Sequence, residues 1–302
     1  PGTKYDYDGE KRTYPNIKMI YWCGGNPFHH HQDLNRLLEA WQRPETIIVN
    51  EPWWNANARH ADIIFPVATT LERNDIGGGR RDKFIFAMQK AIEPVGQSRT
   101  DYEIFSLISK KLGFSDEFTE GRSEKEWLES FYSQLQKSAK ELDIKMPNFS
   151  EFWSNGFYEF PEDKPKAFLH KFRSDPERNQ LRTPSGKIEI YSSTIDNFEY
   201  EDCPGHPVWL EPCEWLGSDK ITNFPLHLIT NQPKTRLHSQ YDNGGYSLKN
   251  KIKGREPVSI NPKDAHKRGI KDGDIIKVYN SRGACLAGAI ITEDVMPSVI
   301  QI

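Results

Sequence analysis

The sequence predicts an α/β unit followed by a β unit, a parallel α/β domain over residues 1–200 and a small β-barrel over 222–302, joined by a linker over 201–221. Three observations carry this. In the first part, apolar runs that close on Gly or Pro alternate with segments of helical spacing. In the last part, short alternating strands are separated by tight turns. Between them, residues 201–220 are rich in Pro, Cys and Trp and carry no periodicity.

The elements follow in order. Ile17–Cys23 is an apolar run that reads as a buried strand, broken by Gly24-Gly25-Asn26-Pro27. Leu34, Leu37, Leu38 and Trp41 then recur at helical spacing up to Pro44. Thr46–Val49 is the next strand, closing on Asn50-Glu51-Pro52, and after a short helix Ile63–Phe65 stops at Pro66. Tyr102, Phe105, Ile108 and Leu112 share one helical face, with Asp101 as N-cap and Gly113 as the stop. Residues 123–142 read as a second helix with a charged face. Residues 143–180 read as irregular, and Lys187–Tyr191 alternates like a strand after the turn Thr183-Pro184-Ser185-Gly186. The barrel strands are expected at Leu226–Thr230, Val258–Ile260, Ile275–Tyr279 and Ala284–Ile291, with turns at Gly273-Asp274 and Arg282-Gly283. Val299–Ile302 reads as a strand that stops, and Pro1 is preceded by no basic or apolar leader, so the chain is expected to be a piece of a longer protein.

Composition narrows the function classes. The chain has 302 residues, of which 36% are hydrophobic and 27% charged, a globular balance on the polar side. Its formal charge of −3 argues against a nucleic-acid or anionic-membrane partner. No window approaches the roughly 20 apolar residues of a membrane span. Eight Trp among 12% aromatics suit either a core or a cofactor cleft. Cys23, Cys203, Cys213 and Cys285 form no C-x-x-C pair and read as free buried thiols.

Three clusters could carry chemistry. The turn Gly24-Gly25-Asn26-Pro27-Phe28-His29-His30-His31-Gln32-Asp33 lets a ligand approach the backbone, and the helix after it suits a phosphate. Glu51 at the end of the next strand could bond a ribose hydroxyl or a base N–H. An ordinary turn remains the alternative, because the G-x-G-x-x-G spelling is missing. A metal site built from the three consecutive histidines is expected to be strained, so capping or ligand hydrogen bonding is favoured. The charged run Leu71–Arg81, ending in three glycines before Arg80 and Arg81, reads as a phosphate cradle or a hairpin tip. Thr230–Gln240 is dense in donors and acceptors, containing Arg236, His238, Ser239 and Gln240, and suits a planar heterocycle. No catalytic triad or carboxylate pair can be inferred, and no catalytic or metal-ligating residue is assigned.

In this order the clusters resemble the molybdopterin oxidoreductases of the dimethyl sulfoxide reductase family, and within it the biotin sulfoxide and trimethylamine N-oxide reductase branch. Residues Trp22–Asn35 are similar to the branch motif W-x-G-G-N-P-F-x-H-H-Q-D-L-N. Ala58–Ile63, Thr70–Asp75, Arg182–Glu189, Arg236–Gln240, Asn261–Ala265 and Arg268–Asp274 continue the match. The resemblance implies a bis-molybdopterin guanine dinucleotide cofactor with molybdenum, and a six-stranded, double-psi-like barrel truncated at its C-terminal end. It implies reduction of a small S-oxide or N-oxide (biotin sulfoxide, methionine sulfoxide or trimethylamine N-oxide) with an electron-donor protein such as a cytochrome c. It also implies a periplasmic location, with the cytoplasm as alternative. Gly24, Gly25 and Asn26 would offer backbone to the dinucleotide, His30 and Gln32 side chains, and Glu51 and Asp101 contacts to ribose or guanine. Arg236, His238, Ser239 and Gln240 would meet pterin or phosphate edges. The branch's metal-ligand serine lies upstream, in N-terminal domains not present in this sequence, so the chain alone is expected to be inactive. The competing readings are a nicotinamide-dependent dehydrogenase domain and a non-catalytic binding module.

Overall fold

The computed structural model describes residues 2–79, 82–161 and 167–302. Arg80 and Arg81, the end of the glycine-rich run, therefore lie outside the described residues. The first strands, β1 (Lys4–Tyr7) and β2 (Glu10–Thr13), form an antiparallel hairpin. The α/β unit then runs β3 (Met19–Cys23), α1 (Pro27–His30), α2 (Leu34–Trp41), β4 (Thr46–Glu51), α3 (Ala56–Arg59) and β5 (Ile63–Pro66). Its three strands pair in parallel in the order β3-β4-β5, as the alternating pattern predicts.

Packing explains why β4 takes the centre. Ile47 and Val49 point into a core shared with Trp41, Ile20, Trp22, Phe28 and Leu37, and Val49 is fully buried. Burying side chains of this size stabilises by about 1.5–3 kcal/mol each. Trp41 also donates its indole N–H to the carbonyl of His60 at 2.9 Å, tying α2 to the end of α3. Asp33 starts α2 from a left-handed conformation (φ 50°) and accepts the Arg36 N–H.

The middle of the chain is more ordered than its sequence suggests. Here β6 (Asp75–Gly78) and β7 (Phe84–Met88) pair antiparallel, so Gly77 and Gly78 of the charged run lie in one arm of a hairpin, as the hairpin reading expects, rather than in a cradle. Next come α4 (Asp101–Leu112), α5 (Ser115–Thr119), α6 (Glu124–Lys140) and α7 (Phe149–Asn155). Thr100, not Asp101, is the N-cap of α4, with Glu103 completing a capping box. Gly113 stops α4 with φ 85°. The stretch expected to be irregular contains α7, then β8 (Phe157–Glu159), which joins β7, then α8 (His170–Ser174). Phe152 and Tyr132 stack at 4.5 Å beneath that sheet and are almost wholly buried. Phe152 falls in the stretch read as irregular, although Phe149, Phe152 and Trp153 are spaced i, i+3, i+4 as on one helical face.

Lys187–Tyr191 is not a strand. Ile188 and Ile190 are 64% and 83% exposed, and the segment instead folds on local bonds such as Thr183 Oγ1 to the Lys187 carbonyl at 2.6 Å. Alternation without a partner edge does not make a strand. The four cysteines are exposed, against the expectation of burial, because none falls on a core-facing position. No described helix is long and apolar enough to cross a membrane.

After α9 (Ser193–Asp196) and an irregular stretch, the last part contributes β9 (His227–Ile229), α10 (Gly245–Lys249), β10 (Pro257–Ile260), α11 (Pro262–Lys267), β11 (Ile275–Tyr279), β12 (Ala284–Ile291) and β13 (Val299–Gln301). These five strands make one curled mixed sheet in the order β11-β12-β10-β13-β9, five strands among the described residues rather than the six of a closed barrel. Val258, Ile260, Ala265, Ala287 and Ile300 form its core. Asp264, 3% exposed, fastens α11 to the sheet by accepting the Ser298 N–H at 2.6 Å.

One buried acid gives a direct test. Glu72 is 4% exposed and accepts hydrogen bonds from Thr69 N–H, Thr69 Oγ1 and Val95 N–H at 2.7–2.8 Å. These donors hold its carboxyl below the ordinary carboxylate value. Its contribution is therefore present above that ordinary value and is lost as pH falls through the lowered one. Glu72→Gln should cost about 1–3 kcal/mol at neutral pH and flatten the acid limb of a urea-unfolding series. An unchanged acid limb would remove Glu72 from this role.

Candidate functional site

Parallel pairing puts the ends of β3 and β4 on one edge. Gly24 and Gly25 follow Cys23 directly, and Cys23 pairs with Asn50, the residue before Glu51. Both glycines have positive φ (76° and 73°), and a Cβ at either would face open space. The turn therefore needs glycine for conformation, and its outer side is free for a ligand. Asn26 has a different task from its neighbours. It is 4% exposed, and its side chain caps α1 by accepting the Phe28 N–H at 3.1 Å. Pro27 in the first turn fixes the same start.

Glu51 is half-buried at the end of β4. Desolvation raises its carboxyl above the ordinary value, and bonds from Asn55 and the Trp53 N–H pull it part of the way back. Trp53 and Trp54 stand exposed just beyond it, at 57% and 63%. Asp101 belongs to a neighbouring chain of bonds. It accepts from Asn50 Nδ2 at 2.7 Å, and Asn50 accepts from the Tyr21 hydroxyl at 3.0 Å. Burial, then the Cys23 and Asp101 charges, pushes the Tyr21 phenol up to about 12. Asp101 thus orients Asn50 next to Glu51, and its carboxylate is partly committed.

The second cluster comes from the other half of the chain and lands on the first. Leu237 and Gln240 close a tight turn through a backbone bridge, and His238 inside it has φ 51°. Arg236 enters this turn with its side chain 13% exposed and its Nη1 3.2 Å from Nε2 of His29. The same guanidinium donates to the His238 carbonyl and lies 3.3 Å from both Asp242 and Glu256. Lys251 meets Asp242 at 2.7 Å, so two cations and two carboxylates balance. The ring of His30 lies 4.9 Å from that of His238, and His29 5.7 Å from it. Partial desolvation, then the Arg236 charge, then His30 and His238 lower the pKa of His29 below the ordinary imidazole value.

The structure therefore brings His30, Arg236 and His238 together from segments more than 200 residues apart. Ser239 is half-buried and Gln240 exposed on the same turn, and Gln32 is exposed after α1. Asn35 supports the junction by donating to the Arg282 carbonyl at 2.7 Å. His29, Asp242, Lys251 and Glu256 were absent from the sequence candidates. The histidine run flagged the first, and only the folded chain shows that the other three surround Arg236.

Family models match this chain twice. Residues 7–111 match Molybdopterin oxidoreductase, and residues 226–302 match Molydopterin dinucleotide binding domain. Its two ends are thus similar to a molybdopterin oxidoreductase domain and to a molybdopterin dinucleotide-binding domain. A dimethyl sulfoxide/trimethylamine N-oxide reductase of Cereibacter sphaeroides is 48% identical across the whole chain, and a biotin sulfoxide reductase of the same organism is 48% identical over 99% of it. A trimethylamine-N-oxide reductase of Haemophilus influenzae is 42% identical across all of it. The chain spans only 37%, 40% and 37% of these relatives. Acetylene hydratase from Pelobacter acetylenicus shares the fold over 94% of the chain and 36% of its own, with TM-score 0.74 at 19% identity.

Glu51 offers a prediction that separates stability from binding. Its raised carboxyl pKa means that its stabilising state is the protonated one, lost as pH rises through the raised value. Glu51→Gln should therefore stabilise the chain at neutral pH, with the gain vanishing well below pH 4.5. Thermal unfolding at several pH values reads this, and equal stability at neutral pH would contradict it.

Proposed function

We propose that this chain is the cofactor-holding portion of a molybdenum oxotransferase that reduces S-oxides or N-oxides. The observation that carries the reading is the convergence of the Gly24–Gln32 turn and the Arg236–Gln240 turn on one site. A dinucleotide needs open backbone at one end and polar edges at the other, and these two turns offer both. The residues fit the group. Gly24 and Gly25 leave open space beside their backbone, and His30, Gln32 and Gln240 are exposed donors or acceptors. Arg236 is the strongest cation at the junction, and a phosphate there would compete with Asp242 and Glu256 for it. Glu51 would accept from ribose or guanine beside the exposed Trp53, with Asp101 acting through Asn50.

When bound, the molybdenum–pterin group supplies two-electron transfer of an oxygen atom from the oxide. The residues of this chain bind and orient that group. The Gly24 turn would let phosphate approach the backbone, the Arg236 turn would fix its polar edge, and Glu51 would select the nucleoside end. The relatives' names support S-oxides and N-oxides as the substrate class. The curled five-stranded sheet is read as part of a six-stranded double-psi-like barrel. Its mixture of parallel pairs (β10 with β12, β13 with β9) and antiparallel pairs supports this. So does a cavity of about 760 Å³ beside it, lined by Leu226, Leu228, Ile260, Ile276 and Val278 together with charged groups such as Glu214 and Arg282.

Calorimetric titration of the chain with GDP tests the nucleotide end. GDP should bind and NADH should not, and Glu51→Gln should weaken GDP at least about tenfold, the loss of a charge-assisted hydrogen bond. A flat GDP trace together with NADH binding would replace this reading with a dehydrogenase. In the full-length protein, Arg236→Met should lower cofactor content, read by molybdenum analysis. Full occupancy in that variant would remove Arg236 from the site.

A further inference from the structure

We propose that Lys251 is a positioning residue for Arg236. It holds Asp242 off the guanidinium and so leaves Arg236 able to pair with an anionic oxygen of the bound group. This role rests on the dinucleotide reading, which puts an anionic group at the junction of the two turns.

The charged groups around this arginine do not share their hydrogen bonds evenly. Nε of Arg236 lies 3.3 Å from Oδ1 of Asp242, yet it is buried without a hydrogen-bond partner. The same Oδ1 accepts a hydrogen bond from Lys251 Nζ at 2.7 Å. Asp242 has thus given its short bond to the lysine. Glu256 stands 3.3 Å from Nη2, at the other end of the guanidinium. Buried donors are almost always paired in folded proteins, so an arginine in this state is short of an acceptor. An anionic oxygen reaching the guanidinium would supply one, while Nη1 stays bonded to the His238 carbonyl.

Lys251 is itself held in place. It follows α10, its N–H donates to the Leu248 carbonyl at 3.3 Å, and Ile252 and Arg255 close a bridge directly after it. Its side chain is 16% exposed, and Asp242 is its ion-pair partner. A pair this sheltered adds little stability, because desolvating both charges offsets most of their attraction. Its effect is on the charge that Arg236 sees. With Lys251 present, two cations balance two carboxylates. An anion arriving at Arg236 then displaces an Asp242 contact that holds no hydrogen bond at Nε. Without Lys251, Asp242 would be free to turn both its oxygens onto the guanidinium, the strongest pairing open to it. The anion would have to break that pair, against a cluster left with net negative charge.

A double-mutant cycle in the 302-residue chain tests this, read by calorimetric titration with GDP. Arg236→Met should weaken GDP at least about tenfold, which establishes that the guanidinium meets the probe. Lys251→Met should weaken it at least about fivefold with little change in unfolding temperature, and Lys251→Arg should restore most of the affinity. Lys251→Gln, polar and neutral, should show the same loss and stands in where the methionine variant does not fold. Asp242→Asn should bind GDP more tightly than the parent, and adding Lys251→Met to it should change the affinity by less than about twofold. An equal loss from Lys251→Met with and without Asp242→Asn would make Lys251 only a general positive charge, and the proposal fails. It fails alone, with the dinucleotide reading standing, if the parent binds GDP and either Lys251→Met or Arg236→Met binds it as tightly. A parent chain that binds no GDP overturns the dinucleotide reading and this role with it.

Discussion

Arg236 is the contact on which the arrangement of the site depends. A guanidinium with a side chain 13% exposed must be paired, because an uncompensated charge at that depth costs several kcal/mol. It finds two carboxylates, a backbone carbonyl and an imidazole, of which the His238 carbonyl and Asp242 are local, while Glu256 and His29 come from further along the chain. Its hydrogen bond to the His238 carbonyl and its ion pairs with Asp242 and Glu256 fix the guanidinium beside the 236–240 turn, with its buried Nε left without a hydrogen-bond partner. Its approach to His29 sets that turn against the end of α1.

The other half of the site follows from strand direction. Parallel β3 and β4 end on the same edge, so the Gly24 turn and Glu51 become neighbours without any direct bond between them. The positive φ of Gly24 and Gly25 swings the backbone away from the sheet, and the cap by buried Asn26 restarts it as α1. Asn50, next to Glu51, is held from both sides by Tyr21 and Asp101. Rigid support of this kind places a half-buried carboxylate at a sheet edge, where desolvation already makes it costly and where a ligand could relieve that cost.

Much of this was legible in the sequence where local rules decide. The three parallel strands, α2, α4 and α6 each show in period and punctuation, and the glycine turn shows in its spelling. Local rules failed where pairing decides. Lys187–Tyr191 alternates like a strand and is largely exposed because it pairs with no described strand. The glycine-rich run, open between a phosphate cradle and a hairpin tip, is decided for the hairpin by the pairing of β6 with Phe84–Met88. Phe149–Asn155 carries Phe149, Phe152 and Trp153 at helical spacing within a Pro-rich stretch read as irregular, and it supplies Phe152, one of the most buried side chains among the described residues.

The sequence by itself determined the order of elements, the need for glycine at Gly24 and Gly25, and the set of polar residues at the two turns. These depend on backbone conformation and residue chemistry, which act over a few residues. Only the tertiary structure decided that His29, His30 and His238 share one site, that Asp242, Lys251 and Glu256 surround the guanidinium, and that Asn26 is a buried cap. Such contacts join segments whose separation along the chain carries no information about their distance in space. Each sheet buries its own apolar face in a separate core, and the charged groups of the turns that meet between them must then find partners.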